Sequence, residues 1–187
     1  MSQAAECYCV FRTTMGFCGI AWDDFGITRF RLPTGSAEAA RGALRRRLPS
    51  AEPTAAPSEI DQIIAAAKRY FEGERTDFSD VRLTLDDQDA FFRQIYTVVR
   101  QIGWGHTTTY GAIARQLGTG PETARDIGQA MAKNPIPLII PCHRVVAAGG
   151  KLGGFSAPGG STTKLRMLQL EGAHVEPLRP AQQAFAF

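Results

Sequence analysis

Three short runs near the start of the chain are rich in strand formers: Cys7-Tyr8-Cys9-Val10-Phe11, Phe17-Cys18-Gly19-Ile20-Ala21-Trp22 and Ile27-Thr28-Arg29-Phe30-Arg31-Leu32. Met15-Gly16 and Asp23-Asp24-Phe25-Gly26 supply turns between them, so the pattern predicts a small antiparallel meander. The period then changes. Ser36 precedes a helical stretch, Ala37 to Leu48, with Ala39, Ala40, Ala43 and Leu44 as a narrow apolar stripe. Pro49 to Pro57 reads as a proline-rich connector. Ser58 reads as the cap of a second helix to Phe71, with Ile60, Ile63, Ile64, Ala67 and Phe71 at helical spacing and Gly73 closing it. Val81-Arg82-Leu83-Thr84-Leu85 reads as a short strand.

From Asp86 onward the chain turns to helices and glycine-bearing loops, which places a domain boundary in Leu85–Gln88. Asp89 to Ile102 is strongly amphipathic, with Phe91, Phe92, Ile95, Val98, Val99 and Ile102 on one face. A short helix is expected over Thr109–Leu117, then a turn at Gly118-Thr119-Gly120, then a helix opened by Pro121 and running to Lys133. Helix, glycine-bearing turn, helix is the helix-turn-helix arrangement, which ordinary αα-hairpins share.

Charge sharpens the division. The whole chain carries only +3. Residues 1–90 hold 11 basic and 14 acidic residues, whereas residues 91–187 hold 10 basic and 4 acidic, so a polyanionic partner is expected to meet the back half. A 44% hydrophobic content argues against wholesale disorder. No apolar run is long enough for a membrane-spanning helix, and Met1–Glu6 has neither a basic start nor an apolar core. Four unevenly placed cysteines, Cys7, Cys9, Cys18 and Cys142, do not make a disulfide scaffold. The expectation is a cytoplasmic protein with reduced thiols and no membrane attachment. Cys7-x-Cys9 with Cys18 lacks a convincing fourth ligand, so no zinc, other metal or cofactor is expected.

The chemistry concentrates in Asn134-Pro135-Ile136-Pro137-Leu138-Ile139-Ile140-Pro141-Cys142-His143-Arg144-Val145-Val146. An apolar run between prolines puts Cys142 at a buried edge, with an imidazole and a guanidinium next to it that favour a thiolate nucleophile. A packed structural cysteine fits the same residue types. So does a surface role for His143, or a helix C-cap role for Asn134.

The order of the whole back half separates these readings. Thr109-Tyr110-Gly111, Ala124-Arg125 with Gly128, Asn134-Pro135, Pro141-Cys142-His143-Arg144-Val145, Gly153-Gly154-Phe155-Ser156, Lys164 and Leu170-Glu171-Gly172 follow one another. This run, over residues 86–175, closely resembles the O6-alkylguanine-DNA alkyltransferases, also called methylated-DNA–protein-cysteine methyltransferases. The resemblance implies an α/β fold: a small ribonuclease-H-like α/β domain over residues 1–85, then a mostly helical alkyltransferase domain with a helix-turn-helix over residues 86–187. It implies single-turnover transfer of an alkyl group from O6 of guanine in double-stranded DNA to Cys142, leaving O4-alkylthymine open as a second substrate. His143 would take the thiol proton through water, Glu171 would orient His143, and Tyr110 would give a proton to the departing base. Asn134 would tie the recognition helix to the cysteine loop. Val145, Ser156, Phe155 and Lys164 would form the base pocket. Arg125 would fill the gap left by the flipped nucleotide, with Ala124 and Ala130 as small residues allowing close approach in the minor groove, and Tyr110, Gly111 and Arg144 among the DNA contacts. A monomer is expected, with cooperativity on DNA left open.

Two departures from the family pattern stand out. The family often has Ile-Pro-x-Gly where this chain has Ile102-Gly103-Trp104-Gly105, and the Phe155–Gly160 loop is longer than in some relatives. The alternatives are a non-repairing damage sensor of the alkyltransferase-like type, a helix-turn-helix DNA-binding regulator and a cysteine hydrolase. The sensors carry Trp at the position of Cys142. Adjacent Cys and His do not readily give the direct contact a hydrolase uses.

Overall fold

A computed structural model describes residues 6–175; the C-terminal segment 177–187, with Phe185 and Phe187, lies outside the described residues. The meander forms as expected: β1 (Cys7–Thr13), β2 (Gly16–Trp22) and β3 (Ile27–Thr34) pair antiparallel in sequence order. The β1–β2 turn needs Gly16, whose φ of 127° and close approach to the Thr34 carbonyl leave no room for a Cβ. The connector holds one unexpected element. Within it β4 (Glu52–Pro53) pairs parallel with β1, giving a sheet of order β3-β2-β1-β4.

Alternation along the strands divides the side chains between two faces. Tyr8 and Ala21 meet Leu44 and Leu48, from and just after α1 (Ala37–Arg47), which Ser36 caps through its hydroxyl. Phe11, Cys18, Ile20 and Trp22 point the other way, into a larger core shared with α2 (Ser58–Phe71) and the back half of the chain. Ser58 is the first residue of α2 rather than its cap. Pro57 holds the cap position without a side-chain hydrogen bond, as a fixed φ allows.

The Val81–Leu85 segment is not a strand. It makes a single parallel bridge, Leu83 to Ile27, because the next edge donor of β3, the Phe30 N–H, is taken by the Pro135 carbonyl at 3.0 Å. The sheet edge is thereby covered by the loop that carries the cysteine.

The back half contains α3 (Ala90–Arg100, capped by Asp89), α4 (Tyr110–Gln116, capped by Thr109), α5 (Ala124–Lys133) and α6 (Gly160–Leu170). Pro121 opens a single 3-10 turn, Pro121–Thr123, before α5 begins. A two-stranded parallel ladder, β5 (Thr108–Thr109) with β6 (Val145–Val146), ties the start of α4 to the residues after the cysteine. One apolar cluster runs through both halves of the chain, from Phe11 and Tyr70 to Ile127, Cys142 and Met167. Burying each large side chain in it contributes about 1.5–3 kcal/mol. No helix among the described residues is long and apolar enough to cross a membrane.

Candidate active site

Asn134 is the residue after α5, and its side chain braces the loop that follows. Its Oδ1 accepts from the Ile136 N–H at 3.0 Å, and its Nδ2 donates to the Ile140 carbonyl at 2.9 Å. Between these anchors Leu138 holds φ of 80°, the single non-glycine residue with positive φ among the described residues. Its side chain is buried, which holds a backbone conformation costing on the order of 1–3 kcal/mol. The loop delivers Cys142 into a 3-10 turn, Cys142–Arg144.

Cys142 is 5% exposed and lies at a cavity of about 340 Å³ that Tyr110, Gly128, Met131, Phe155 and Ser156 also line. Burial raises the thiol pKa, and the Asn134 hydrogen bond, the Lys164 ammonium and backbone N–H groups act in the opposite direction. Lys164 is itself fully buried. Its Nζ donates to the Val145 carbonyl at 2.6 Å and the Gly154 carbonyl at 3.3 Å, and lies 5.9 Å from the Phe155 ring centroid. Burial lowers its pKa to about 8, against the pull of Cys142. Tyr110 is shifted up by burial and by the neighbouring Cys142, so its phenol stays protonated.

Behind the cysteine lies a buried polar network centred on Glu171, the residue that follows α6. Its Oε1 lies 2.6 Å from His143 Nε2, 2.7 Å from the Tyr70 hydroxyl and 3.0 Å from an Arg144 terminal nitrogen. Its Oε2 accepts from Arg144 Nε at 2.9 Å and the Gly105 N–H at 3.3 Å. Burial opposes ionisation of Glu171, but the His143 and Arg144 bonds and charges outweigh it and hold the carboxyl at about 2. Burial lowers the His143 pKa despite Glu171, which leaves the imidazole neutral at neutral pH. Its Nδ1 is buried without a partner among the described residues. Gly105 has φ of 76°, and a Cβ there would lie 3.0 Å from the Glu171 carbonyl oxygen, so this position favours glycine on two counts.

The residues expected from the sequence are distributed as follows. Cys142, Tyr110, Phe155 and Ser156 line the cavity, Asn134 and Lys164 support it, and His143 and Glu171 pair behind it. Val145 is fully buried, with its N–H on the Cys142 carbonyl and its carbonyl on Lys164, leaving one lone pair there for any base. The Ser156 hydroxyl donates to the Ala132 carbonyl at 2.9 Å. Arg125 is exposed and Ala124 half-buried, one turn of α5 before Gly128 at the cavity; Gly111 is half-buried at the start of α4.

Two expectations fail. Arg144 is not a DNA contact: it is 7% exposed, and its guanidinium is consumed by Glu171 and the Ile102 carbonyl. Ala130 is not an approach surface either, being fully buried, with its carbonyl accepting from the Tyr96 hydroxyl at 2.9 Å. Gly128, half-buried on the same helix, has open space where a Cβ would be. Sequence reasoning missed Tyr70. Its signal was present: it falls three residues after Ala67 on the buried face of α2, and a buried tyrosine requires a hydroxyl partner. Among the described residues no group of three or more His, Cys, Asp or Glu side chains gathers that could hold a metal ion.

A mixed α/β fold thus places Cys142 at a helix-lined cavity with the buried His143–Glu171 pair behind it, an arrangement of the kind found in cysteine-centred group-transfer and hydrolytic sites. Comparison with known proteins narrows the class. Residues 90–173 match the family described as "6-O-methylguanine DNA methyltransferase, DNA binding domain". A methylated-DNA–protein-cysteine methyltransferase of Metallosphaera sedula is 46% identical over 107 residues, which cover 57% of this chain and 64% of that protein. The O6-methylguanine methyltransferase of Mycobacterium tuberculosis superposes with a TM-score of 0.70 at 32% identity, covering 93% of this chain and 96% of that one. The same bacterium's enzyme crystallised with DNA gives 0.68 at 33% identity, over 88% and 92%. The chain belongs to the O6-methylguanine-DNA methyltransferase family.

Proposed function

We propose that this chain repairs DNA by direct reversal, moving an alkyl group from O6 of guanine in duplex DNA onto Cys142 once per molecule. The observation that carries this reading is the placement of Cys142 at the cavity beside the buried His143–Glu171 pair. With Nε2–H donated to Glu171, the His143 lone pair lies on Nδ1, available to take the thiol proton through one water. The Cys142 sulfur then attacks the alkyl carbon, a C–S bond forms and the C–O6 bond breaks. The electron pair of that bond goes to guanine. Tyr110, whose phenol is protonated at the cavity wall, donates to the ring as it departs. The thiol proton ends on His143 and guanine's proton comes from Tyr110; His143 then releases a proton to water and Tyr110 regains one from it, so the net change is one proton from thiol to guanine and no co-reactant is consumed. The product thioether has no easy leaving group, and the protein does not turn over.

A lesion inside a stacked duplex reaches this cavity only when its nucleotide is rotated out. In this reading residues 1–85 form a small ribonuclease-H-like α/β domain, and residues 86–187 form the domain that binds DNA and carries the reaction. Helices α4 and α5 act as a helix-turn-helix, with α5 in the minor groove and Arg125 filling the vacated space. Ala124 and Gly128 allow the close approach. The protein acts as a monomer inside the cell. Alkyl removal from a duplex containing O6-methylguanine, plotted against protein, should plateau near one equivalent and vanish in Cys142→Ala. Repeated turnover, or a plateau indifferent to Cys142→Ala, contradicts the reading.

A further inference from the structure

Every residue assigned a part in the chemistry so far comes from the back half of the chain, but the buried network has a member from the front. Tyr70, on α2, is fully buried, with its hydroxyl 2.7 Å from Glu171 Oε1 and 3.2 Å from His143 Nε2. Its ring is held edge-on by Phe71 at 5.1 Å, Trp104 at 5.4 Å and the His143 imidazole at 6.2 Å between centroids. We infer that the Tyr70 hydroxyl is a positioning group for His143, fixing the imidazole with its proton on Nε2 and its lone pair on Nδ1. The inference rests on the proposed role of His143 as the base for Cys142.

The hydrogen-bond inventory leads there. An ionised Glu171 only accepts, and a phenol has one proton to give. Burial and the Glu171 charge push the Tyr70 pKa well up, so that proton stays on the phenol. The shorter contact assigns it to Oε1. His143 Nε2, 2.6 Å from the same Oε1, must then bring a proton as well, since two lone pairs cannot face each other at that distance. The neutral ring is left with its lone pair on Nδ1. Turning the tautomer round would require the phenol proton to rotate from Glu171 to Nε2, which gives up the shorter bond and leaves the Nε2 and Oε1 lone pairs facing each other at 2.6 Å.

Removing the hydroxyl also has a signed electrostatic consequence. The charged and titratable groups facing His143 are Glu171 at the end of α6, Lys164 within α6, Arg144 and Cys142 on its own turn, and Tyr70 from α2. Without the Tyr70 donor, Glu171 Oε1 is a stronger acceptor for the Nε2–H, and the imidazolium is favoured. Less neutral base remains at a given pH.

Tyr70→Phe keeps the ring and deletes the hydroxyl, so it is the test, with single-turnover transfer from duplex O6-methylguanine measured across pH. The expected result near neutral pH is a rate about tenfold lower, the order of magnitude for a lost hydrogen bond to a charged group. The acid limb of the profile should move to higher pH, the deficit should shrink on the alkaline side, and DNA affinity should stay the same. In a Glu171→Gln background, Tyr70→Phe should add little, because the group through which it acts is gone. A lower melting temperature with an unchanged rate per active molecule and an unmoved acid limb would overturn the inference, as would a full additive loss in the double variant. Failure of the wild-type chain to accept any alkyl group would strike the underlying reading of the reaction instead.

Discussion

Arg144 and Glu171 are joined by two hydrogen bonds in the fork geometry of a guanidinium on a carboxylate, Nε to Oε2 at 2.9 Å and a terminal nitrogen to Oε1 at 3.0 Å. The Glu171 side chain is fully buried and Arg144 nearly so. Removing one partner leaves the other charged and desolvated, so Arg144→Met should destabilise the fold by about 3–5 kcal/mol. Denaturant unfolding measures this. DNA affinity of the folded fraction should be nearly unchanged, because Arg144 faces inward; a large affinity loss would restore it as a DNA contact.

Glu171→Gln separates chemistry from binding. The neutral amide still fills the space but cannot balance an imidazolium, so single-turnover transfer should slow by tenfold or more, while the equilibrium constant for duplex DNA stays within about twofold. Equal transfer rates in both proteins at neutral pH would remove Glu171 from the reaction.

Stability should fall on acidification, with a sign set by two groups. Glu171 titrates at about 2 when folded, against an ordinary value of 4.5. Its contribution, on the order of 3 kcal/mol, is fully present above the unfolded value and lost as pH falls through the folded one. His143 has a lowered folded pKa against an ordinary 6.5, so below that value the unfolded chain binds a proton that the folded chain refuses. Both effects lower stability as pH drops. Urea midpoints from about pH 7 to about pH 3 should decline, and Glu171→Gln should flatten the lower part of that curve.

Arg125 is exposed on α5, one turn from the cavity-lining Gly128. As a space-filler for an extruded nucleotide it should matter for duplex substrates and not for a free-base substrate. Arg125→Ala should therefore lose rate selectively on duplex DNA, and Arg125→Lys should recover only part, since an ammonium lacks the planar surface of a guanidinium. Full recovery by Lys on duplex, or equal losses on both substrates, contradicts that role. Simple phosphate attraction would give the first of these outcomes and a reduced salt slope.

What could be read in advance follows the reach of each interaction. Period-two and helical patterns are local, so β1 to β3 and the five helices α1 to α5 are legible within a few residues of their observed bounds. The Val81–Leu85 strand failed because its fate depends on Pro135 occupying the β3 edge, more than fifty residues away in sequence. The same distance rule governs the site. Cys142 and His143 are adjacent and carry a chemical signal by themselves, whereas Tyr70 joins Glu171 across 101 positions, a pairing that no local pattern in α2 announces. Arg144 was misread for a related reason. The resemblance implied a DNA contact there, and only the tertiary fold shows that its guanidinium is paired with an internal carboxylate 27 positions away.

Whether Cys142 is the alkyl acceptor is decided by peptide mass mapping after incubation with an O6-methylguanine duplex. The Cys142 peptide should gain the mass of one methylene in step with loss of the lesion, while the peptides holding Cys7, Cys9 and Cys18 stay unmodified. Loss of the lesion with an unmodified Cys142 peptide, or methylation appearing on another cysteine, would contradict that role.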